Sequence, residues 1–248
     1  MLKRDSYDAA QLLPQDHSYY ALLWPYVTPY LVYVAISSIP ESILAADAAE
    51  IVKLAATSAA MLFFWKSYAF GKLKFGHVSM AVAALPVALI AWILPFHLLE
   101  AVGVADGITT SFDRSFSDLY FLVKLINSVV LVAVFEELLM RVYIMGWFFQ
   151  AGLQRNEKGL LGSIMETLDQ TPSFNGILPL STFSVVGATI IFAAGHQAHE
   201  YLSAICYFLF TTWLYKKAGS LWVCIVIHGL TNLAIALLAR FGGMGWLW

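Results

Sequence analysis

Long runs without a charged side chain alternate with short charged clusters along this chain. Residues 17–40, 75–99, 170–199 and 218–239 contain no Asp, Glu, Lys or Arg. Each run is at least as long as the roughly 20 residues that a helix needs to cross a bilayer. The pattern predicts a membrane protein built from helices.

The apolar segments predict about seven spans. They lie at residues 19–39, 48–65, 78–99, 119–150, 180–196, 201–215 and 221–239. The fourth is too long for one perpendicular span, so we expect it to be tilted, kinked or broken, and a break would give eight. The predicted fold class is an all-α polytopic transmembrane helix bundle of about 7–8 spans.

The polar segments predict the domain organisation. Residues 1–18 form a polar N-terminal segment, and residues 19–248 form a single membrane-embedded domain whose motif-bearing core is about 119–240. Residues 154–179 contain several Gly and Pro and are predicted to be a loop. The middle of this stretch, residues 158–169, has the composition of a short interfacial helix.

Charged side chains alternate in sign from one predicted loop to the next. Acidic clusters follow the first and third spans, with Glu41, Asp47, Glu50, Glu100, Asp106, Asp113 and Asp118. Basic clusters precede the first span and follow the second, fourth and sixth, with Lys3, Arg4, Lys66, Lys72, Lys74, Arg155, Lys158, Lys216 and Lys217. The positive-inside rule places basic loops in the cytoplasm, and so predicts a cytoplasmic N-terminus.

The composition excludes several classes of protein. Hydrophobic residues make up 60% of the chain and charged residues 12%, and the mean hydropathy is +0.74. These values exclude a disordered chain and a basic nucleic-acid-binding domain. The two cysteines, Cys206 and Cys224, lie in apolar segments without a CxxC motif, so we expect them to pack as small hydrophobic residues.

The first unusual group of polar residues lies inside the fourth predicted span. Glu136 and Glu137 follow an apolar run, and Arg141 comes four residues after Glu137. On a helix Glu137 and Arg141 share a face and can pair, whereas Glu136 lies about 100° around the axis. Glu136 is therefore a candidate general base, and a purely structural ion-pair cluster is the alternative.

The second group lies at the end of the fifth predicted span. Phe192 and His196 are four residues apart, and His199 and Glu200 follow. If the helix continues, Glu200 lies on the side of His196 and can orient its imidazole ring. The alternative is that the Gly-His junction simply ends the span.

The third group is His228 and Asn232, four residues apart in the last predicted span. Two hydrogen-bond donors on one helix face suit the stabilisation of an oxyanion. They also suit ordinary hydrogen bonding between helices. Because buried polar groups need partners, we expect the three groups to converge on one cavity suited to water-mediated amide hydrolysis.

The order EExxxR, FxxxH and HxxxN on three successive membrane segments resembles the CPBP intramembrane proteases, which include the CaaX prenyl endopeptidases. The resemblance covers about residues 124–233. The region around residues 196–200 and the terminal residues 245–248 also resemble the CaaX-protease-related proteins of bacterial exosortase loci. That narrower resemblance implies an exosortase-linked pathway.

The family resemblance implies a role for each motif residue. Glu136 would activate water, His196 would hold that water and transfer protons, and His228 with Asn232 would stabilise the oxyanion. Glu137 and Arg141 would support the helix that carries Glu136, and Phe192 would pack beside His196. The implied activity is endopeptidase cleavage near the membrane surface, without a cofactor.

The implied substrate is a membrane-anchored or lipid-modified peptide or protein, and the implied location is a bacterial inner membrane. Two alternatives stay open: a non-catalytic scaffold or immunity protein with the same fold, and a zinc-dependent protease. No HExxH motif is present, but the side chains of His196, His199, Glu200 and His228 include the ligand types of a zinc site.

Overall fold

The computed structural model describes residues 19–68, 70–104, 117–168 and 180–247. All regular secondary structure in these ranges is helical, which confirms the predicted all-α bundle. The α-helices are α1 (Tyr19–Ser37), α2 (Ala46–Phe63), α3 (Phe75–Ala101), α4 (Asp118–Ile126), α5 (Ala133–Glu137), α6 (Met145–Leu168), α7 (Thr182–Ala194), α8 (Tyr201–Ala218) and α9 (Leu221–Phe241). Single 3₁₀ turns lie at Trp65–Ser67, Ala198–Glu200 and Gly245–Leu247.

Helices α4, α5 and α6 join into one long helical segment through two π-helical segments, Asn127–Val132 and Leu138–Ile144. A π turn carries one more residue than an α turn, and such turns are frequent at functional sites. The predicted irregularity of the fourth span therefore takes the form of two changes of helix type. The five-residue helix between them ends with Glu136 and Glu137.

The helix continues beyond the predicted end of the fourth span at residue 150. Residues 154–168, expected to begin a loop, are helical, apart from a break at Gly159, where φ is +70° and ψ is 176°. The break at Gly159 separates the last part of α6 as a short helix, and a short helix was predicted at residues 158–169. Residues 1–18, 105–116 and 169–179, on which other loop predictions fall, lie outside the described residues.

Three of the described helical segments are long and apolar enough to cross a membrane on their own. They are Phe75–Ala101, Asp118–Met165 and Leu221–Phe241, and the apolar helix Thr182–Ala194 is shorter. Helices α1, α2 and α8 form where further spans were predicted. The protein is thus a polytopic helical bundle.

Helix α2 contains a buried charged pair that the sequence reading placed elsewhere. Glu50 was assigned to an acidic loop, but it lies inside the helix and is only 4% exposed. Lys53 Nζ lies 2.5 Å from its carboxylate, and the amide of Asn127 donates to the same side chain at 2.8 Å. The loop assignment was wrong for both Asp47 and Glu50, because α2 begins at Ala46, and Glu50 belongs instead to the predicted span at 48–65.

Contacts between the connections define the two ends of the bundle. At one end, Trp222 Nε1 donates to the Gly71 carbonyl at 3.1 Å, so the α2–α3 and α8–α9 connections lie together. At the other end, Arg240 pairs with Asp118 at 2.6 Å, so the end of α9 meets the start of α4. Between these ends, α3, α8 and α9 enclose the main apolar core.

Candidate active site

The structure brings the four predicted catalytic side chains to one cavity. Glu136, His196, His228 and Asn232 all line a pocket of about 640 Å³. They come from α5, the end of α7 and the middle of α9, so the expected convergence of the three motifs is a feature of the fold. The geometry also separates side chains that face the pocket from side chains that support them.

Glu136 and Glu137 are neighbours in the chain but have different surroundings. Glu137 is 2% exposed and accepts a hydrogen bond from Arg141 Nε at 2.9 Å. Glu136 lines the cavity, and its nearest cationic partner is His228, whose Nε2 lies 3.9 Å from Glu136 Oε2. This distance is too long for a direct hydrogen bond. Glu136 is therefore the carboxylate available to a molecule in the cavity.

The buried Arg141 side chain contacts residues of α8 and of its own helical segment. Its guanidinium donates to the hydroxyls of Thr211 and Thr212 and to the Phe208 carbonyl. It also lies over the Phe208 ring, 3.9 Å from the ring centre. A buried arginine with this set of partners fixes the Glu137 carboxylate in place. The predicted Glu137–Arg141 pair is thus present.

His228 is oriented by Glu137, a contact that the sequence did not predict. Its Nδ1 lies 3.1 Å from Glu137 Oε1. Because a carboxylate can only accept, Nδ1 donates, and the second nitrogen, Nε2, is directed toward Glu136 and the cavity. With Nδ1 protonated, Nε2 carries a proton only in the imidazolium form. A hydrogen bond from Nε2 to an oxyanion therefore requires charged His228.

His196 lies just beyond the end of α7. The backbone NH of His196 donates to Ala193, and its ring Nδ1 lies 2.8 Å from the Phe192 carbonyl oxygen. Since a carbonyl only accepts, Nδ1 is the donor and Nε2 is left as an acceptor. The rings of Phe192 and Trp92 contact the imidazole, with centroid distances of 4.6 and 5.5 Å. Phe192 thus packs beside His196, as the family resemblance implied.

Glu200 does not take the predicted position beside the His196 ring. Helix α7 ends at Ala194, and Glu200 lies in a separate 3₁₀ turn, where it accepts from the Gln197 backbone NH at 2.9 Å. The prediction assumed a helix that continues past His196. Glu200 and Gln197 both line the cavity, but the ring is oriented by the Phe192 carbonyl.

Asn232 links α9 to the first π-helical segment. Its side-chain amide donates to the Ser128 carbonyl at 2.8 Å, and an amide group has a second N–H. One turn earlier, α9 approaches this segment at Gly229, where a Cβ atom would lie 2.6 Å from the Val129 oxygen. The close approach fixes the distance between the α9 side chains and the helix that carries Glu136.

Several aromatic and hydroxyl side chains of the cavity were missed by the sequence reading. Tyr207 packs against His228 with a centroid distance of 6.0 Å and against Trp92 at 5.8 Å. Tyr30, Tyr33 and Thr231 also line the cavity. These residue types are common in membrane helices, and their spacing gives no signal of a site.

The described part of the chain contains no group of three His, Cys, Asp or Glu side chains arranged to hold a metal ion. His199, one of the alternative zinc ligands, packs against Phe96 with a centroid distance of 6.1 Å and does not line the cavity. The zinc alternative is therefore a question for experiment.

Comparison with known families gives one match. The model of the type II CAAX prenyl endopeptidase Rce1-like family matches residues 118–234. This segment, slightly less than half of the chain, is similar to the Rce1-like family. It contains Glu136, His196, His228 and Asn232, and it ends within α9. No curated protein and no solved structure matches the chain.

The Rce1-like match confirms the resemblance to CPBP intramembrane proteases, whereas the narrower exosortase-associated subgroup is not confirmed. The similarity supports a membrane endopeptidase that acts on a membrane-associated protein substrate. Helices α1, α2 and α3 lie outside the Rce1-like segment, although Tyr30, Tyr33 and Trp92 from α1 and α3 complete the cavity wall.

Proposed function

We propose that this protein is a glutamic-type intramembrane endopeptidase in which Glu136 is the general base. One observation carries the proposal. Two adjacent acidic residues, Glu136 and Glu137, lie in the helix that forms the cavity wall, and only Glu137 is paired with an arginine. Glu136 faces the cavity together with two imidazole rings and an amide. This set of groups can activate water and stabilise a tetrahedral intermediate.

The reaction begins with a water molecule between Glu136 and His196. Glu136 removes one proton from the water, and Nε2 of His196 accepts a hydrogen bond from the second O–H group and so orients the attack. The oxygen adds to the carbonyl carbon of the scissile peptide bond, and the carbonyl oxygen becomes an oxyanion. When the C–N bond breaks, protonated Glu136 donates its proton to the departing amine.

The oxyanion lies against α9 in this mechanism. His228 donates from Nε2 as an imidazolium, which the Glu137 carboxylate stabilises through Nδ1. Asn232 uses one N–H on Ser128 and the other on the oxyanion. Glu137 and Arg141 are positioning residues, because neither contacts the reacting atoms.

The substrate in this proposal is a membrane-anchored or lipid-modified polypeptide in a bacterial inner membrane. The cavity wall carries both polar groups and apolar helices, so it suits a peptide backbone delivered from the bilayer. The reaction as written uses only the side chains of this chain and water.

A Glu136→Gln variant tests the proposal. We expect a rate lower by about 10²–10⁴-fold on a lipid-anchored randomised peptide library in nanodiscs, with cleavage read by mass spectrometry, because general-base catalysis contributes a factor of this size. Glu157→Gln is the matched control, since Glu157 is exposed on α6 and does not line the cavity. Equal cleavage by Glu136→Gln and wild type would contradict the assignment and favour a non-catalytic role for the fold.

A further inference from the structure

The lining of the active-site cavity extends from the middle of the bundle to one of its two ends. Its deep part is formed by Glu136 and His228, and its outer part by Ser37, Ser38 and Gln197. Ser37 ends α1, Ser38 follows it, and Gln197 follows the end of α7. These positions belong to the end of the bundle where Arg240 pairs with Asp118, which we call the mouth face.

The opposite end of the bundle carries exposed lysines. The α2–α3 and α8–α9 connections meet there through the Trp222–Gly71 hydrogen bond and a Ser220–His77 contact of 3.4 Å. The lysine face consists of the exposed residues Lys66, Lys72, Lys74, Lys216 and Lys217. The sequence has no Asp or Glu in residues 51–99 or 201–248, so these two connections contribute no carboxylate. Helix α6 reaches the same end beside the start of α7, where exposed Glu157 lies between exposed Arg155 and Lys158.

The mouth face has the opposite charge balance. Its described acidic residues are Glu41, Asp47, Glu100, Asp118 and Glu200. Its described basic residues are Lys124, which lines the outer cavity, and Arg240, which pairs with Asp118. Lys53 lies deeper and is paired with Glu50. Basic residues therefore predominate at the lysine face, and acidic residues predominate at the mouth face.

Lys and Arg in short connections are retained in the cytoplasm when a helical membrane protein inserts. We infer that the lysine face lies in the cytoplasm and that the active-site cavity opens on the extracytoplasmic side of the membrane. The orientation rests on charge and fold alone. Its consequence for the substrate rests on the proposed function: the scissile bond belongs to a membrane-anchored polypeptide exposed at the outer surface.

Cysteine labelling in intact cells tests the orientation without using enzyme activity. Ser38→Cys places a thiol at the mouth, and Lys72→Cys places one on the lysine face; both positions are exposed. Wild type gives the background, since Cys224 is buried and Cys206 is partly buried. A membrane-impermeant maleimide should label Ser38→Cys at least tenfold faster than Lys72→Cys in intact bacterial cells. After permeabilisation, Lys72→Cys should be labelled as well.

Labelling of Lys72→Cys but not Ser38→Cys in intact cells would overturn the inference, and so would comparable labelling of both. A second measurement separates orientation from activity. A lipid-anchored reporter peptide added from outside should be cut by right-side-out vesicles at least tenfold faster than by inverted vesicles. Cleavage only by inverted vesicles would also overturn the inference. If neither preparation cuts, the enzymatic proposal and its substrate consequence fail, while the labelling result still decides the orientation.

Discussion

Replacing Gly229 by alanine tests whether the spacing between α9 and the first π-helical segment controls the active site. The added Cβ atom would lie 2.6 Å from the Val129 carbonyl oxygen, and an ordinary van der Waals contact begins near 3.4 Å. The two backbones must therefore separate by about 0.8 Å. No flexible side chain can absorb this change, because the obstructing atom belongs to the backbone.

The displacement acts directly on catalysis in the proposed mechanism. His228 precedes Gly229, and Asn232 lies one turn beyond it, so both oxyanion donors move relative to Glu136. A misplacement near 1 Å costs about 100-fold in rate, and overpacking a core costs about 1–3 kcal/mol of stability. We expect Gly229→Ala to lose about 100-fold in kcat/KM and to unfold at a lower temperature.

The assay compares initial cleavage rates of a lipid-anchored reporter peptide in nanodiscs with thermal unfolding of the same samples. Gly76→Ala is the control, because an added Cβ atom meets nothing within 4 Å in this helical position. Alanine favours a helix over glycine, so this control should keep full activity and equal or greater stability. A Gly229→Ala variant with more than half of the wild-type rate would refute the link between helix spacing and catalysis.

Three further predictions concern the buried charges and the metal question. Arg141→Met should destabilise the protein by about 3–5 kcal/mol, because it leaves Glu137 buried without its partner; adding Glu137→Gln should recover part of the loss in a denaturation series, and no recovery would contradict the pairing. Lys53→Met should likewise lower the unfolding temperature more than the joint Glu50→Gln and Lys53→Met variant, and the opposite order would show that the Glu50 charge has another partner. Exhaustive chelation should leave the cleavage rate unchanged, whereas a loss that added zinc restores would support the metal-dependent alternative.

The sequence predicted the main features of the fold because membrane helices follow a simple rule. Charge-free runs marked the positions of α1, α3, α7 and α9, and the order of the three motifs identified the side chains that line the cavity. The Glu137–Arg141 pair was predictable since residues four apart on a helix are neighbours. These are local properties, and local spacing is visible in a sequence.

The failures depend on helix ends and on contacts between distant segments. Glu50 was grouped with the acidic loop although the predicted span 48–65 includes it, and its burial depends on Asn127, which is 77 positions away in the chain. The role assigned to Glu200 required a helix that in fact ends at Ala194. The contact between Glu137 and His228 joins residues 91 positions apart, and no spacing rule predicts it.

The two π-helical segments have a consequence for how this chain responds to single-residue deletions. Each π turn carries one residue more than a turn of regular α-helix. Removing that residue would restore regular hydrogen bonding but would turn every side chain beyond it by about 100° around the axis. A deletion of this kind at Leu138–Ile144 would improve the helix while separating Arg141 from Glu137. Glu137 would then be buried without its partner, so the irregular helix is the form in which the Glu137–Arg141 pair and the cavity-facing Glu136 occur together.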